Sequence, residues 1–306
     1  MHTVEVSHLA KRFGDIEAVV DVSFAIEPGE IFGMLGPNGA GKTTTIRMMM
    51  DIFKPDAGSI SMLGGPLDLP KKRRIGYLPE ERGLYKDQKL GATLTYLAML
   101  KGLDQKTAES RLGQWLERFE LTDYRHKKVE ELSKGMQQKA QIVATLLHEP
   151  ELIVIDEPFS GLDPVNTRLV KRIFEEQRDV GRSIIMSTHQ MYQVEALCNR
   201  IVLINKGRSV LYGRVDEIKR NFAGNAVELK GQGDFTQIPG VLETRQRNGN
   251  WHLALEMGAD PQAVFRALAN RDAVKIDRFE LAEPSLDDIF VSVVQDGKHG
   301  SEAEHV

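Results

Sequence analysis

Cysteine is all but missing from this chain, with one residue, Cys198, among 306. A lone thiol excludes an internal disulfide framework and suits a reducing compartment, with Cys198 as a small apolar filler. Long apolar runs are missing too. No stretch of about 18 consecutive apolar residues occurs, the length that a membrane-spanning helix requires. The first eleven residues carry charge and polar groups too early for a secretory signal. Charge of one sign is not in large excess, since 40 basic residues face 44 acidic ones and the formal net charge is -4. The basic runs at 71–74 and 125–128 have no interleaved aromatics, so they read as solvated faces rather than a nucleic-acid surface. There is no internal repeat. With 41% apolar and 27% charged residues, the chain reads as soluble and globular, long enough for one large domain and a second, smaller one.

Residues 3–6, 16–20 and 22–26 are short β-rich runs, closed by the turn Glu27-Pro28-Gly29-Glu30, and predict antiparallel strands over a core. Residues 31–35 form an apolar run that feeds a glycine-rich turn and then 42–50, in the order strand, loop, helix. Helical periodicity over 88–120 places Leu90, Leu94 and Leu97 on one face of a first helix and Leu112, Leu116 and Phe119 on one face of a second. This predicts a helical subdomain at about 86–150. A helix over 134–147 leads to the apolar strand 152–155, and 183–186 is another buried strand, so a parallel sheet covered by helices on both faces follows. From about Asn225 the pattern changes to runs at 226–229, 241–245 and 251–255 around Asn248-Gly249-Asn250, a hairpin signal. Asp260-Pro261 starts a helix to about Asn270, 274–279 is strand-like, and Pro284 opens a terminal helix. The polar tail 297–306 is expected to fray. The expectation is an α/β domain over 1–220 and a small α+β domain over 221–306.

Gly36-Pro37-Asn38-Gly39-Ala40-Gly41-Lys42-Thr43 fits a phosphate-binding loop, whose glycines let backbone N–H groups turn inward around phosphate oxygens, helped by the positive end of the next helix. Lys42 would reach the β- and γ-phosphates and the Thr43 hydroxyl would ligate Mg²⁺, with Thr44 beside them. Residues 152–155 end in Asp156 and Glu157, a placement that delivers carboxylates to the ligand-binding edge of a parallel sheet. Asp156 would hold Mg²⁺, and Glu157 could polarise an attacking water as general base.

Up to this point any phosphate-loop NTPase would fit. Leu132-Ser133-Lys134-Gly135-Met136, placed before a helix, resembles the signature of ABC ATPases. Phe159-Ser160-Gly161-Leu162-Asp163 follows the carboxylates, and His189 ends the next strand. The ordered set is similar to the ABC ATPase family over roughly residues 3–220. That resemblance implies an α/β phosphate-loop NTPase fold with an antiparallel β subdomain and a helical subdomain, ATP as substrate and Mg²⁺ as cofactor. It also implies two cassettes facing head to tail, so that Ser133 and Gly135 of one close over the ATP on the phosphate loop of the other. A helix N-terminus at Ser133 suits a γ-phosphate. His189 resembles the switch histidine that contacts the γ-phosphate and orients Glu157. Asp163 resembles a residue linking the two sites, and also reads as an N-cap before Pro164. Phe13 stands where the family stacks an aromatic on adenine, and also reads as an edge-strand core residue.

Two places depart from the family's pattern. Glu80, in Ile75-Gly76-Tyr77-Leu78-Pro79-Glu80, replaces a glutamine that contacts Mg²⁺ and water. A carboxylate still suits the metal as an oxygen ligand. Lys134 and Met136 replace the glycine and glutamine of the signature, and Lys134 either adds a cation near the phosphates or faces solvent. The resemblance further implies an integral membrane permease as partner, a second copy of this chain or a related cassette, no nucleic acid, and a place on the cytoplasmic face of the membrane. The segment Glu283-Pro284-Ser285-Leu286-Asp287-Asp288-Ile289-Phe290 looks like the ending of export-type ATP-binding subunits, sodium-efflux types included. Competing readings are a soluble ABC ATPase acting on nucleic acid, disfavoured by the single cassette without a long heptad insertion, and a module that binds ATP without turnover, disfavoured by Glu157 and His189.

Overall fold

Apolar residues at alternating positions make the N-terminal segment two long antiparallel strands, β1 (Val4–Phe13) and β2 (Ile16–Ile26). Val4 faces Ile26, Val6 faces Phe24 and Leu9 faces Val22, all six buried. The separate strands expected at 16–20 and 22–26 are therefore one. Asp21 does not interrupt it, because its N–H is taken by the Gly207 carbonyl at 3.1 Å and it pairs in register with Arg208. Register shifts along β1 after Val6, Leu9 and Lys11 bend the strands instead. The computed structural model describes residues 2–81, 83–222, 226–247, 249–256, 258–271, 274–282 and 284–300, with backbone alone for 247 and 295–300.

β3 (Ile31–Leu35) is buried at every residue and leads through the glycine-rich loop into α1 (Lys42–Met49). β4 (Ala57–Met62) returns to pair with β1, and α2 (Leu69–Arg73) leads to β5 (Ile75–Leu78). Then come α3 (Leu90–Leu100), α4 (Gln105–Arg118) and α5 (Lys134–Leu146), packed on one another. Asp104 caps α4 by accepting from the Thr107 N–H, and Ser133 caps α5 by accepting from the Met136 N–H at 3.2 Å. Leu90, Leu94, Leu112, Leu116 and Phe119 are buried as the periodicity predicts, whereas Leu97 is half-buried. β6 (Leu152–Asp156) and β7 (Ser183–Thr188), wholly buried, flank α6 (Pro164–Asp179). β8 (Arg200–Asn205) and β9 (Arg208–Arg214) complete a nine-stranded sheet in the order β4-β1-β2-β9-β8-β3-β7-β6-β5. From β8 to β5 the pairs are parallel, while β4, β1 and β2 form the antiparallel wing. The pairs Leu35↔Thr188 and Asp156↔Ser187 bring the carboxyl ends of β3, β7 and β6 side by side, where ligands of such sheets bind.

These elements, apart from the last two residues of β9, belong to the unit formed by Met1–Gln190 and Leu197–Tyr212; the other unit comprises Met191–Ala196 and Gly213–Val306. The second unit contains α7 (Met191–Glu195), α8 (Val215–Asn221), β10 (Ala226–Gln232), β11 (Val241–Arg247), β12 (Asn250–Leu255), α9 (Pro261–Ala269), β13 (Lys275–Leu281) and α10 (Leu286–Gly300). Its strands form an antiparallel sheet in the order β11-β12-β10-β13 over a core of Val227, Leu229, Phe235, Leu253, Val264 and Leu268. β11 and β12 close with Arg247 opposite Asn250; Asn225, Asn248, Glu283 and the tail from 301 on lie outside the described residues, and residues 297–300 continue α10.

Candidate functional site

Two glycines of the loop after β3, Gly36 and Gly41, leave no room for a side chain. At Gly36, φ is 147° and a Cβ would lie 2.1 Å from the Ile204 carbonyl oxygen; at Gly41, φ is 109° and a Cβ would lie 2.6 Å from that of Ala18. Both positions need left-handed backbone and close approach to a neighbouring chain segment. Lys42, at the first position of α1, is buried and donates from Nζ to the carbonyl oxygens of Gly36 at 2.8 Å and Pro37 at 3.0 Å. An ammonium has three hydrogens, so one more donor remains for a phosphate oxygen. Burial holds Lys42 below the ordinary lysine range, against the opposing pull of Glu157, Asp156 and Glu80.

The loop opens on a cleft of about 460 Å³ lined by residues 38–44, by Ile16, Glu17 and Ala18, and by Glu80, Asp156, Glu157 and His189. Thr43, Thr44 and Lys42 thus share one cavity with the three carboxylates and the histidine. Asp156 is 1% exposed; its Oδ1 accepts from the Ser187 hydroxyl, and its Oδ2 is buried with no protein partner among the described residues. Glu157 leaves the strand with φ at 52°. Its Oε1 lies 2.7 Å from His189 Nδ1 and accepts from the His189 backbone N–H at 3.1 Å, while Oε2 accepts from the Thr188 hydroxyl at 3.0 Å. Its side chain is only 11% exposed, against 50% for His189. Hydroxyl and carboxylate oxygens at Thr43, Glu80 and Asp156 make a hard donor set suited to Mg²⁺ rather than to a thiophilic metal. The free, buried Oδ2 of Asp156 is the observation that fits a cation. Among the described residues no group of three or more His, Cys, Asp or Glu could hold a metal by itself, so phosphate and water oxygens would complete the shell.

Phe13, Ser133, Gly135 and Asp163 do not line this cleft. Phe13 is 40% exposed, with its ring edge-on to Phe53 at 5.2 Å and Lys11 Nζ above it. Ser133 and Lys134 are exposed at the start of α5. Gly135 packs against the loop after the carboxylates, since a Cβ there would lie 3.2 Å from the Gly161 carbonyl oxygen. Buried Gln138, one turn further on, donates to the Pro158 carbonyl at 3.1 Å and ties α5 to the same loop. Asp163 caps α6, its Oδ1 accepting from the N–H groups of Val165 and Asn166 at 2.9 Å each. These bonds, chiefly those from Asn166, hold its carboxyl below the usual range. Sequence reasoning passed over Ile16, Glu17, Ala18, Ser187 and Thr188. The last two are hydroxyl residues at the end of β7, whose middle residues 184–186 are apolar, a pattern that gains meaning only once β7 is paired with β6.

Residues 19–160 match the ABC transporter family, and residues 213–294 match the C-terminal domain of DrrA1-3-like ATP-binding proteins. The uncharacterized ABC transporter ATP-binding protein YhaQ of Bacillus subtilis is 44% identical over 94% of this chain and 97% of its own length. The Nod factor export ATP-binding protein I of Rhizobium etli is 30% identical over 95% of this chain and 93% of its own. A solved ATP-binding subunit of an ABC transporter, 36% identical, superposes with a TM-score of 0.68 over 72% of this chain and 93% of that one. CbiO1 of Clostridium perfringens, described as part of the transporter complex cbiONQ, is 25% identical with a TM-score of 0.61 over 72% of this chain and 94% of its own. Such cassettes are subunits of larger complexes with membrane permease components. The chain belongs to the ATP-binding subunits of ABC transporters, and it is an ATPase.

Proposed function

We propose that two copies of this chain enclose two ATP molecules and drive a permease that exports its cargo. The observation that carries this reading is the division of the machinery. The phosphate loop, Glu157 and His189 share one cleft, while Ser133 and Gly135 lie outside it. The N-terminus of α5, with its positive dipole end, then meets a γ-phosphate held by another copy. Asp163, on the loop against which Gly135 packs, would pass the state of one site to the other. Phe13, on the rim beside Ile16, would stack on adenine.

Within the cleft Lys42 and the backbone of 36–44 hold the phosphates. Thr43, Glu80 and Asp156 would hold Mg²⁺, which would supply positive charge against the phosphates. Glu157 takes the proton of the attacking water, and His189 beside it contacts the γ-phosphate. Loss of that phosphate removes the contact that favours the closed pair, so the pair opens. No helix among the described residues is long and apolar enough to cross a membrane. A place on the cytoplasmic face, held there by the permease, is supported by the likeness to a cassette described as part of a transporter complex. Export is supported by relatives named for Nod factor export and linearmycin resistance. Lys134 and Met136 leave the catalytic carboxylate in place and tune the rate.

The test is steady-state hydrolysis of Mg·ATP by the purified chain against protein concentration, with light scattering of Glu157→Gln with and without ATP. A rate per subunit that rises with concentration, and a variant that dimerises only with ATP, are expected. A constant rate and a variant that binds ATP yet stays monomeric would overturn the two-copy reading.

A further inference from the structure

We infer that Thr188 is a positioning residue for Glu157, and that its hydroxyl joins the carboxylate to the turn carrying His189. The inference rests on the reading of Glu157 as the base. Thr188 is the last residue of β7 and is 1% exposed. Its Oγ1 lies 3.0 Å from Glu157 Oε2 and 3.1 Å from the Gln190 backbone nitrogen. A backbone N–H can only donate, so Oγ1 accepts from Gln190 and its own hydrogen is left for the carboxylate. One oxygen atom therefore serves the catalytic side chain and the turn after His189 together.

Glu157 needs such an anchor. Its terminal torsion, between an sp³ and an sp² carbon, is intrinsically soft. Oε1 is held twice, by the ring and the backbone of His189, and Oε2 accepts from Thr188. A carboxylate held at one oxygen pivots about it; one held at both has a fixed plane. Thr188 suits the task because a β-branched side chain on a strand has restricted χ1. The preceding residue repeats the device, since the Ser187 hydroxyl donates to Asp156 Oδ1 and leaves Oδ2 free. Two adjacent hydroxyls at the end of β7 thus address two adjacent carboxylates at the end of β6. If Thr188 served only the chain turn, the bond from Gln190 would suffice and the hydrogen would have no reason to face Glu157.

The experiment measures kcat and KM for ATP, nucleotide affinity and melting temperature on the full chain, for wild type, Thr188→Val, Thr188→Ser, Thr188→Ala and Glu157→Gln. Removing the hydroxyl in Thr188→Val is expected to lower kcat roughly 10- to 100-fold through misplacement of the base, with KM and affinity changed by less than about twofold. Thr188→Ser should keep kcat within about threefold of wild type. Ser and Ala differ only in the oxygen, so their kcat ratio, expected to be about tenfold or more, gives the answer even if the valine variant does not fold. Equal kcat for Ser and Ala, or a valine variant with wild-type kcat, would overturn the inference. A Glu157→Gln variant that turns over normally would instead overturn the assignment of the base. A dead Glu157→Gln beside indistinguishable Thr188 variants would leave that assignment standing and remove Thr188 alone.

Discussion

Glu157 Oε1 and His189 Nδ1 lie 2.7 Å apart at the carboxyl edge of the parallel sheet, and the same oxygen accepts the backbone N–H of His189. An ionised carboxylate can only accept, so Nδ1 carries the hydrogen between them. His189 is half-exposed and contributes little packing. Replacing it with alanine is expected to lower kcat roughly 100-fold while leaving the melting temperature within a degree or two. Asparagine, whose amide nitrogen can stand near Nδ1, should recover part of the loss. Steady-state kinetics and a thermal melt of both variants check this; equal kcat for alanine and wild type would contradict it.

The phosphate loop offers a paired test of backbone conformation. Gly39 and Gly41 both have positive φ, at 78° and 109°. A Cβ at Gly39 would meet nothing within 4 Å, whereas one at Gly41 would sit 2.6 Å from the Ala18 carbonyl oxygen. Gly39→Ala therefore carries only left-handed strain, about 1–2 kcal/mol, and should still bind ATP. Gly41→Ala adds a backbone clash that the α1 N-terminus must move to relieve, so both stability and nucleotide affinity should fall further. Denaturation midpoints and a fluorescent-nucleotide titration order the two; the reverse order would refute the argument.

The site was legible where chemistry sits in one short segment. Residues 36–43 announce a phosphate loop because glycines, lysine and threonine stand between an apolar strand and a helix, and Asp156, Glu157 and His189 end apolar strands. Features that need two distant segments were not legible. The hydroxyls of Ser187 and Thr188 acquire meaning only because β7 pairs with β6 so that Asp156 stands opposite Ser187. Asp21 read as a break between strands, but the Gly207 carbonyl takes its N–H and β2 continues. β8 and β9 escaped the pattern reading, although Ile201, Val202, Leu203 and Ile204 are all buried. Gln138, polar by type, is buried against the Pro158 carbonyl and links α5 to the carboxylate loop.

Asp163 has two roles in prospect, and its geometry separates them. As an N-cap it uses Oδ1 toward the N–H groups of Val165 and Asn166, an acceptor that asparagine also possesses, while Oδ2 accepts from the exposed Asn166 side-chain amide. Asp163→Asn keeps both backbone caps and loses only the bond from the Asn166 side chain, so it should stay within a degree or two of the wild-type melting temperature, while Asp163→Ala should lower it by a few degrees through loss of the cap. If the negative charge also links the two nucleotide sites, Asp163→Asn will lower kcat or the cooperativity of hydrolysis at unchanged stability. A fully active Asp163→Asn would reduce this residue to a cap.

His148 gives the fold a pH dependence of predictable sign. It is 9% exposed, and its Nε2 lies 3.2 Å from the Ile75 carbonyl oxygen, which can only accept, so Nε2 carries the hydrogen. Its Nδ1 is buried without a partner among the described residues. Burial, with the nearby Lys101 charge next in importance, pushes its pKa down to about 4. The folded protein thus keeps His148 neutral while the unfolded chain takes up a proton near the ordinary value of about 6.5. Its contribution to stability is complete above about pH 6.5 and is lost as the pH falls toward 4, on the order of 3 kcal/mol in all. His148→Gln keeps an N–H for Ile75 and does not titrate. Urea denaturation of both proteins at pH 7.5 and pH 4.5 cancels the contribution of the carboxylates they share. The wild type should lose more stability than the variant on acidification; equal losses would mean that His148 accepts its proton in the folded state as readily as in the unfolded one.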